Sequence, residues 1–386
     1  MSAVDAFGLP VTLEHAASLP RLNDFIEGFV ACEARVVRVL EVAALDRGPL
    51  VQACCAALHL FAETGDAPAQ ARPFVEAALN SPLKATPREQ LFVQAVAAWA
   101  EGDLPRAIAL HAQLALEHPR DLASVKLGQY HLFNRGDAPG MLRLALAARR
   151  ACADLPWFHG MQAFALEQCH LLDEAERAAR RAMALRQAEP WAHHALAHVM
   201  LTQGRLTEGR DFMNAVSATW TGLNSFMLTH NWWHLALFAL DLDDAGDVLH
   251  LYDTRVWGVE KAYSQDQVGA ISLLARLELA GVDVGGRWAD VARHVAARGR
   301  DHVNAFLDLQ YLYALGRAGH AKADTLLAQI GEHAAGCHAD DAPTWQQVAV
   351  PAARGLLAHA RGDMATTVRE LGQALPRLAA IGGSHA

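Results

Sequence analysis

The sequence predicts an all-α protein, and three observations carry that prediction. Helix-forming residues run almost without interruption: Gln90–Ala100, Ala175–Leu185 and Ala352–Arg361 are dense in Ala, Leu, Arg, Glu and Gln, with apolar residues three and four apart. Val/Ile/Thr alternation of the strand kind is almost absent. The breaks are short and they recur. Gly102-Asp103, Gly136-Asp137, Gly204-Arg205, Gly246-Asp247, Gly281-Val282 and Gly362-Asp363 each separate one helical run from the next, with the Gly placed to close a helix in a left-handed turn. Apolar residues make up 52% of the 386 and charged residues 19%, which supplies a large core and carries no disorder signature.

Taken in order, residues 1–85 read as an N-terminal helical region, and 86–386 as a helical-repeat region continuous with it as one body. No Ser/Pro-rich linker, charge block or low-complexity tract divides them. The opening residues show no basic stretch followed by an apolar one, so no secretory signal and a cytoplasmic location are expected. Thr86-Pro87-Arg88-Glu89 is a well-formed helix start, with Thr as cap, Pro at the first helical position and Glu three residues after the cap. Leu91–Ala100, Gly102-Asp103, Arg106–Leu110 and Pro119 then resemble one tetratricopeptide unit. Phe164–Cys169, Ala175, Ala178-Ala179, Ala182–Leu185 and Pro190 resemble a second, with Pro190 about three positions late for a 34-residue repeat. Small residues let paired helices approach, and each Pro opens the next pair. The expected architecture is tetratricopeptide-like helical hairpins stacked into a right-handed superhelix, an α-solenoid with a concave face.

The charge balance narrows the function. Lys+Arg number 33 against 42 Asp+Glu, a net charge of −9, which disfavours nucleic acid and anionic membranes as partners. No apolar run approaches the roughly 18–20 residues of a membrane helix. Cys32, Cys54, Cys55, Cys152, Cys169 and Cys337 form neither a CxxC pair nor a metal knuckle, and Cys54-Cys55 lacks the companions of a thiol nucleophile. No GxGxxG after a strand, no phosphate-binding loop of the GxxxxGK type and no GxSxG is present.

The histidines are the chemical signal. His194 and His198 share one helix, and His230 and His234 share a later one. Each pair stands at i, i+4, which sets two imidazoles on one helix face at metal-ligand spacing. With 20 His in the chain, about one such pair is expected by chance. Two pairs within one short stretch, both in apolar helices where an unpaired imidazole is costly, point to a divalent metal, with zinc, manganese and iron as candidates. The bland alternative is a set of core histidines satisfied by backbone.

The HExxH base is missing, so a general base or further ligand must come from elsewhere. Glu167 and Asp266 are the preferred carboxylates, ahead of Glu208 and Asp253. Each has a structural reading: Glu167 an interhelical pair, Asp266 and Glu208 first-turn acids, and Asp253 a helix-end acid that needs a cation opposite. Asn231, Trp232 and Trp233 flank the second pair and are candidates to shape a substrate pocket, with core packing as the default for the tryptophans. Arg177, Arg180, Arg181 and Arg186 read as a solvated face, or else as an anion clamp.

His230-Asn231-Trp232-Trp233-His234, together with Pro190-Trp191-Ala192-His193-His194-Ala195-Leu196-Ala197-His198-Val199-Met200, resembles the tetratricopeptide repeat protein 38 family. The resemblance extends through Pro119–Leu122, Thr202–Arg205, Leu251–Asp253, Arg287-Trp288 and the terminal Gly382–Ala386, and so covers most of the chain from Thr86 onward. It implies a helical-repeat fold and no settled activity. Gln310 stands where some relatives carry His, and the terminal string, which continues into further helices in many relatives, ends this chain. Two functions stay open. One is a metal-dependent hydrolase of an amide or ester in a small polar substrate, with His194, His198, His230 and His234 on the metal and Glu167 or Asp266 as base. The other is a non-catalytic scaffold holding a peptide or protein in its groove. A metal-free small-molecule sensor is a weaker third, and homodimerisation through exposed terminal helices is open to either.

Overall fold

The computed structural model describes residues 2–384; the His385-Ala386 end of the terminal string lies outside them. A short antiparallel ribbon comes first, β1 (Ser2–Val4) against β2 (Pro10–Thr12), with Ala3 opposite Val11. Three-residue strands are too short to show alternation, so the sequence reading missed them. Next come α1 (Leu19–Ala31) and a 3-10 stretch, Ala34–Val42. Hairpins follow in chain order: α2 (Pro49–Leu60) with α3 (Ala67–Leu79), α4 (Pro87–Ala100) with α5 (Leu104–Glu117), α6 (Leu122–Asn134) with α7 (Ala138–Ala148), α8 (Pro156–Gln168) with α9 (Leu172–Leu185), and α10 (Pro190–Thr202) with α11 (Leu206–Ser217). The remainder are α12 (Ser225–Asp241) with α13 (Ala245–Leu251), α14 (Ser264–Leu279) with α15 (Arg287–Val295), and α16 (Ala305–Arg317) with α17 (Lys322–Gly336). A short α18 (Ala342–Thr344) leads through a wide π-type turn into α19 (Val350–Ala360), which pairs with α20 (Met364–Ala374). The protein is all-α, a tetratricopeptide-like solenoid of nine helical hairpins among the described residues.

Local chemistry explains the punctuation. Thr86 Oγ1 accepts the Glu89 N–H while the Glu89 carboxylate accepts the Thr86 N–H, so the expected capping box is complete. Glu89 also accepts from Thr12 N (2.7 Å) and Thr12 Oγ1 (2.8 Å), tying the ribbon to α4. Gly102, Gly136, Gly204, Gly281 and Gly362 take positive φ and end helices as expected. Gly246 does not. It lies inside α13, and the left-handed residue of that turn is Asp243 (φ 60°), a role Asp fills through its short polar side chain. His170 (φ 57°) does the same work after α8.

The two helices of a hairpin have different surroundings. Second helices such as α9 bury one stripe, Ala175, Ala179 and Ala182, and present the rest to water. First helices are enclosed nearly all round, and α10 buries residues on every face. Close approach is built from small residues: a Cβ on Gly160 would stand 2.3 Å from Glu189 Oε2, and one on Gly209 only 2.1 Å from Phe238 Cε1. The array also returns upon itself. Glu63, after α2, accepts from Tyr130 Oη (2.8 Å), Gln265 Nε2 (2.6 Å) and Ser264 Oγ. Arg135, after α6, pairs with Asp341 at 2.8 Å, before α19. First meets seventh hairpin and third meets ninth, so both contacts bring together elements six hairpins apart.

Candidate metal centre

The two histidine pairs lie on α10 and α12, the first helices of adjacent hairpins, which pack directly on each other. Glu189 opens α10, its Oε2 accepting the Ala192 N–H at 2.5 Å, and Asn224 opens α12 through Met227 N at 3.0 Å. With both starts set, the i, i+4 faces oppose. The Nε2 atoms meet in a chain: His198 to His194 at 3.0 Å, His194 to His230 at 3.0 Å, and His230 to His234 at 3.3 Å. One nitrogen from each ring lies within 4.8 Å of all the others. His194, His198 and His234 are buried, and His230 is the partly exposed member.

The shell around the rings is aromatic. Trp233 stacks on His230 with centroids 5.4 Å apart and planes 8° from parallel, and meets His234 edge-on at 4.9 Å. Phe164 of α8 lies 5.0 Å from His194, and Phe226 stacks on His230 at 5.4 Å. Burial in this shell, and next the charge each ring would present to the others, holds His194 and His234 well below the ordinary imidazole range. The same causes bring His230 to about 3. His194, His230 and His234 are therefore neutral, one N–H and one lone pair each. Glu167 of α8 faces the fourth ring. Its Oε2 stands 3.3 Å from His198 Nδ1, so a hydrogen on Nδ1 would face the carboxylate and leave the Nε2 lone pair turned inward.

The cluster has two self-consistent proton arrangements. Without an ion, alternating tautomers make two of the three Nε2 contacts hydrogen bonds, with His194 donating to His198 and His234 to His230. With an ion, all four rings carry hydrogen on Nδ1 and present four converging lone pairs. The donor set fits a tetrahedral ion. Zn–N bonds of about 2.0–2.1 Å imply N···N edges of roughly 3.3–3.4 Å, and three edges already stand at 3.0–3.3 Å. The donors are all imidazole, with no thiolate among them.

The other sequence candidates fall in several places. Asp266 accepts from Thr229 Oγ1 (2.9 Å) and Glu260 N (3.2 Å) rather than from the imidazoles, and burial raises its carboxyl to about 6. Trp232 packs edge-on to Trp220 at 4.9 Å under the Arg255 guanidinium, away from the histidines. Asn231 is fully enclosed, and both its side-chain polar atoms lack a partner. Asp253 receives the cation its helix end requires, a bidentate Arg287 at 2.6 and 2.9 Å. Glu208 pairs with Arg205, and Arg177 and Arg180 pair with Glu174 and Glu176 on their own helix face. Arg186 reaches Glu33 at 2.7 Å. The sequence reading missed Arg276, whose guanidinium lies over the Trp233 ring at 5.1 Å; its i, i+4 neighbours gave no signal because the contact crosses from α14 to α12. It also passed over His193, which accepts from Trp220 Nε1 and bonds the Gln187 carbonyl as a structural core histidine.

No family model matches the chain. Among solved structures it is similar to yeast Tom70, with 10% identity over 95% of this chain and 68% of that one, at a TM-score of 0.46. It is also similar to the TPR domain of P58(IPK), with 14% identity over 77% of this chain and 84% of that one, at a TM-score of 0.22. No helix among the described residues is long and apolar enough to cross a membrane.

Proposed function

We propose that the chain is a metal-binding helical-repeat scaffold in which one divalent ion joins α10 to α12 through His194, His198, His230 and His234. The convergence of four Nε2 atoms carries this reading. Four protein ligands on one ion leave no open position, which is the composition of structural sites, whereas catalytic sites keep a place for water. An all-imidazole set tilts the choice among zinc, manganese and iron toward zinc, because manganese prefers carboxylates. Glu167 would orient His198 and supply one negative charge to a buried dication. The likeness of the two His/Trp strings to the tetratricopeptide repeat protein 38 family agrees with a scaffold and adds no activity.

Hydrolysis is the second reading, and the partial exposure of His230 favours it. If His230 yields its place, three imidazoles hold the ion and water takes the fourth position; Glu167, which faces His198 Nδ1, or Asp266, which faces Thr229, would have to move to reach that water as base. Peptide capture by the repeat surface is compatible with either, since helical arrays commonly present extended binding faces.

Elemental analysis of untagged protein, beside His194→Ala, tests the proposal. Near-stoichiometric metal lost in the variant supports it, as does a zinc-dependent rise in melting temperature worth about 2.7 kcal/mol at a hundredfold excess over Kd. Metal absent from both proteins, with no thermal shift on adding zinc or manganese, overturns it. If metal is present, opening of an ester substrate by wild type but not by Glu167→Gln would select hydrolysis.

A further inference from the structure

We propose that Cys32 and Lys126 form a sulfenamide cross-link on oxidation by a peroxide, with Lys126 Nζ bonded to Cys32 Sγ, so that the end of α1 is joined to α6. The two atoms are 3.0 Å apart. Lys126 is 9% exposed and Cys32 4%. A lysine so enclosed requires partners, and its ammonium has three donors for three acceptors: the Phe29 carbonyl at 2.6 Å, the Val30 carbonyl at 3.2 Å, and the sulfur. Two of those contacts are ordinary helix chemistry, a cation on the last-turn carbonyls at the C-terminus of α1. The third is not required by capping. It aims an N–H at Sγ and so holds the amine nitrogen against the sulfur it would join.

Both atoms are held in that position. The rings of Phe29 and Trp191 each lie 5.0 Å from Nζ. Cys32 caps α1 in the left-handed region (φ 54°), and its carbonyl accepts the Asn224 N–H at 2.7 Å, which anchors the residue against the start of α12. Other thiols have different company. Cys55 and Cys152 donate to the carbonyls of Val39 and Pro119, and burial pushes both up to about 12, so they stay protonated and unreactive.

The chemistry balances with peroxide as the oxidant. The thiolate attacks one peroxide oxygen, the O–O bond breaks, and sulfenic acid and hydroxide result. The hydroxide takes a proton from the Lys126 ammonium and becomes water, leaving a free amine lone pair. That lone pair displaces hydroxide from sulfur, forming the N–S bond, and the departing hydroxide leaves with an amine proton as a second water. One peroxide is reduced to two waters, and the protein loses two hydrogen atoms.

Intact-mass and peptide mass spectrometry of the native protein after brief hydrogen peroxide treatment test this. The expected product is lighter by two hydrogens, yields a peptide joining Cys32 to Lys126, resists trypsin after Lys126, and reverts with a thiol reductant. Lys126→Arg keeps the cation on both carbonyls but removes the primary amine; its sulfenic acid should accumulate and be captured by dimedone. Cys32→Ser should give neither product. Wild-type protein that stops at sulfenic or sulfinic acid with Lys126 unmodified, or that shows no change at Cys32, overturns the proposal. Should Lys126→Arg fail to fold, as judged by circular dichroism, the presence or absence of the linked wild-type peptide decides alone.

Discussion

Replacing Glu167 by Gln should weaken zinc binding while leaving the metal-free protein folded. The carboxylate lies 3.3 Å from His198 Nδ1, on the side of the ring opposite the converging nitrogens. Adding one imidazole width and a Zn–N bond of about 2 Å puts it roughly 7 Å from an ion among the four Nε2 atoms. A single negative charge and a dication at that separation attract by about 5 kcal/mol at an effective dielectric constant near 20. The carboxylate's own desolvation cost, already met in the enclosed site, and relaxation around an amide reduce the net loss. Outer-shell substitutions of this kind typically cost 10–100-fold in affinity, about 1.4–2.8 kcal/mol. The amide is isosteric and retains a partner in Gln168, which bonds Glu167 Oε2 at 2.7 Å, so the apo melting temperature should move little. Competition titration against a chromophoric zinc chelator, with apo melting measured in parallel, is the assay. An unchanged zinc affinity would refute the role assigned to Glu167, and so would an apo destabilisation as large as the affinity loss.

Three further outcomes follow from packing and burial. Glu189 is fully buried, and desolvation raises its carboxyl to about 7 from an ordinary value of 4.5, so the folded state holds the proton more tightly than the unfolded state does. Stability present below pH 4.5 should fall as pH rises to 7, by about 3 kcal/mol in all, and Glu189→Gln should abolish that slope in urea titrations at pH 5 and 8. Gly209→Ala places a Cβ against the Phe238 ring and should cost about 1–3 kcal/mol in thermal or urea unfolding. Gly246→Ala, in an open position inside α13, should instead gain about 0.5–1 kcal/mol, and a loss there would show that the α13 turn is strained.

Much of the architecture was legible because it is written locally. The capping box at Thr86, the left-handed glycines after α4, α6, α10, α14 and α19, and the small-residue stripe of α9 depend on contacts within a few residues. Gly246 shows the limit of that reading: a Gly-Asp pair looks like every other break, but Asp243 and Asp244 had already made the turn and the cap. Several site residues were legible for the same reason, since i, i+4 spacing places His194 with His198 and His230 with His234 on whatever helix they occupy.

The meeting of those pairs belongs to the tertiary structure. Local spacing says which face a side chain takes, but the sequence spells out neither the axial register nor the rotation between helices 36 residues apart, and these decide whether Nε2 atoms stand 3.0 Å from one another. The same distinction separates Glu167 from Asp266. Both are buried acids in helices, and only packing of α8 on α10 brings one of them to His198 while Thr229 takes the other. By itself, the sequence determined the helices, their ends and the pairing of neighbours, because those contacts are short in chain distance. The tertiary structure decided the centre at α10 and α12, the Cys32–Lys126 contact and the return of the array after six hairpins, because each depends on small rotations accumulated from one hairpin to the next.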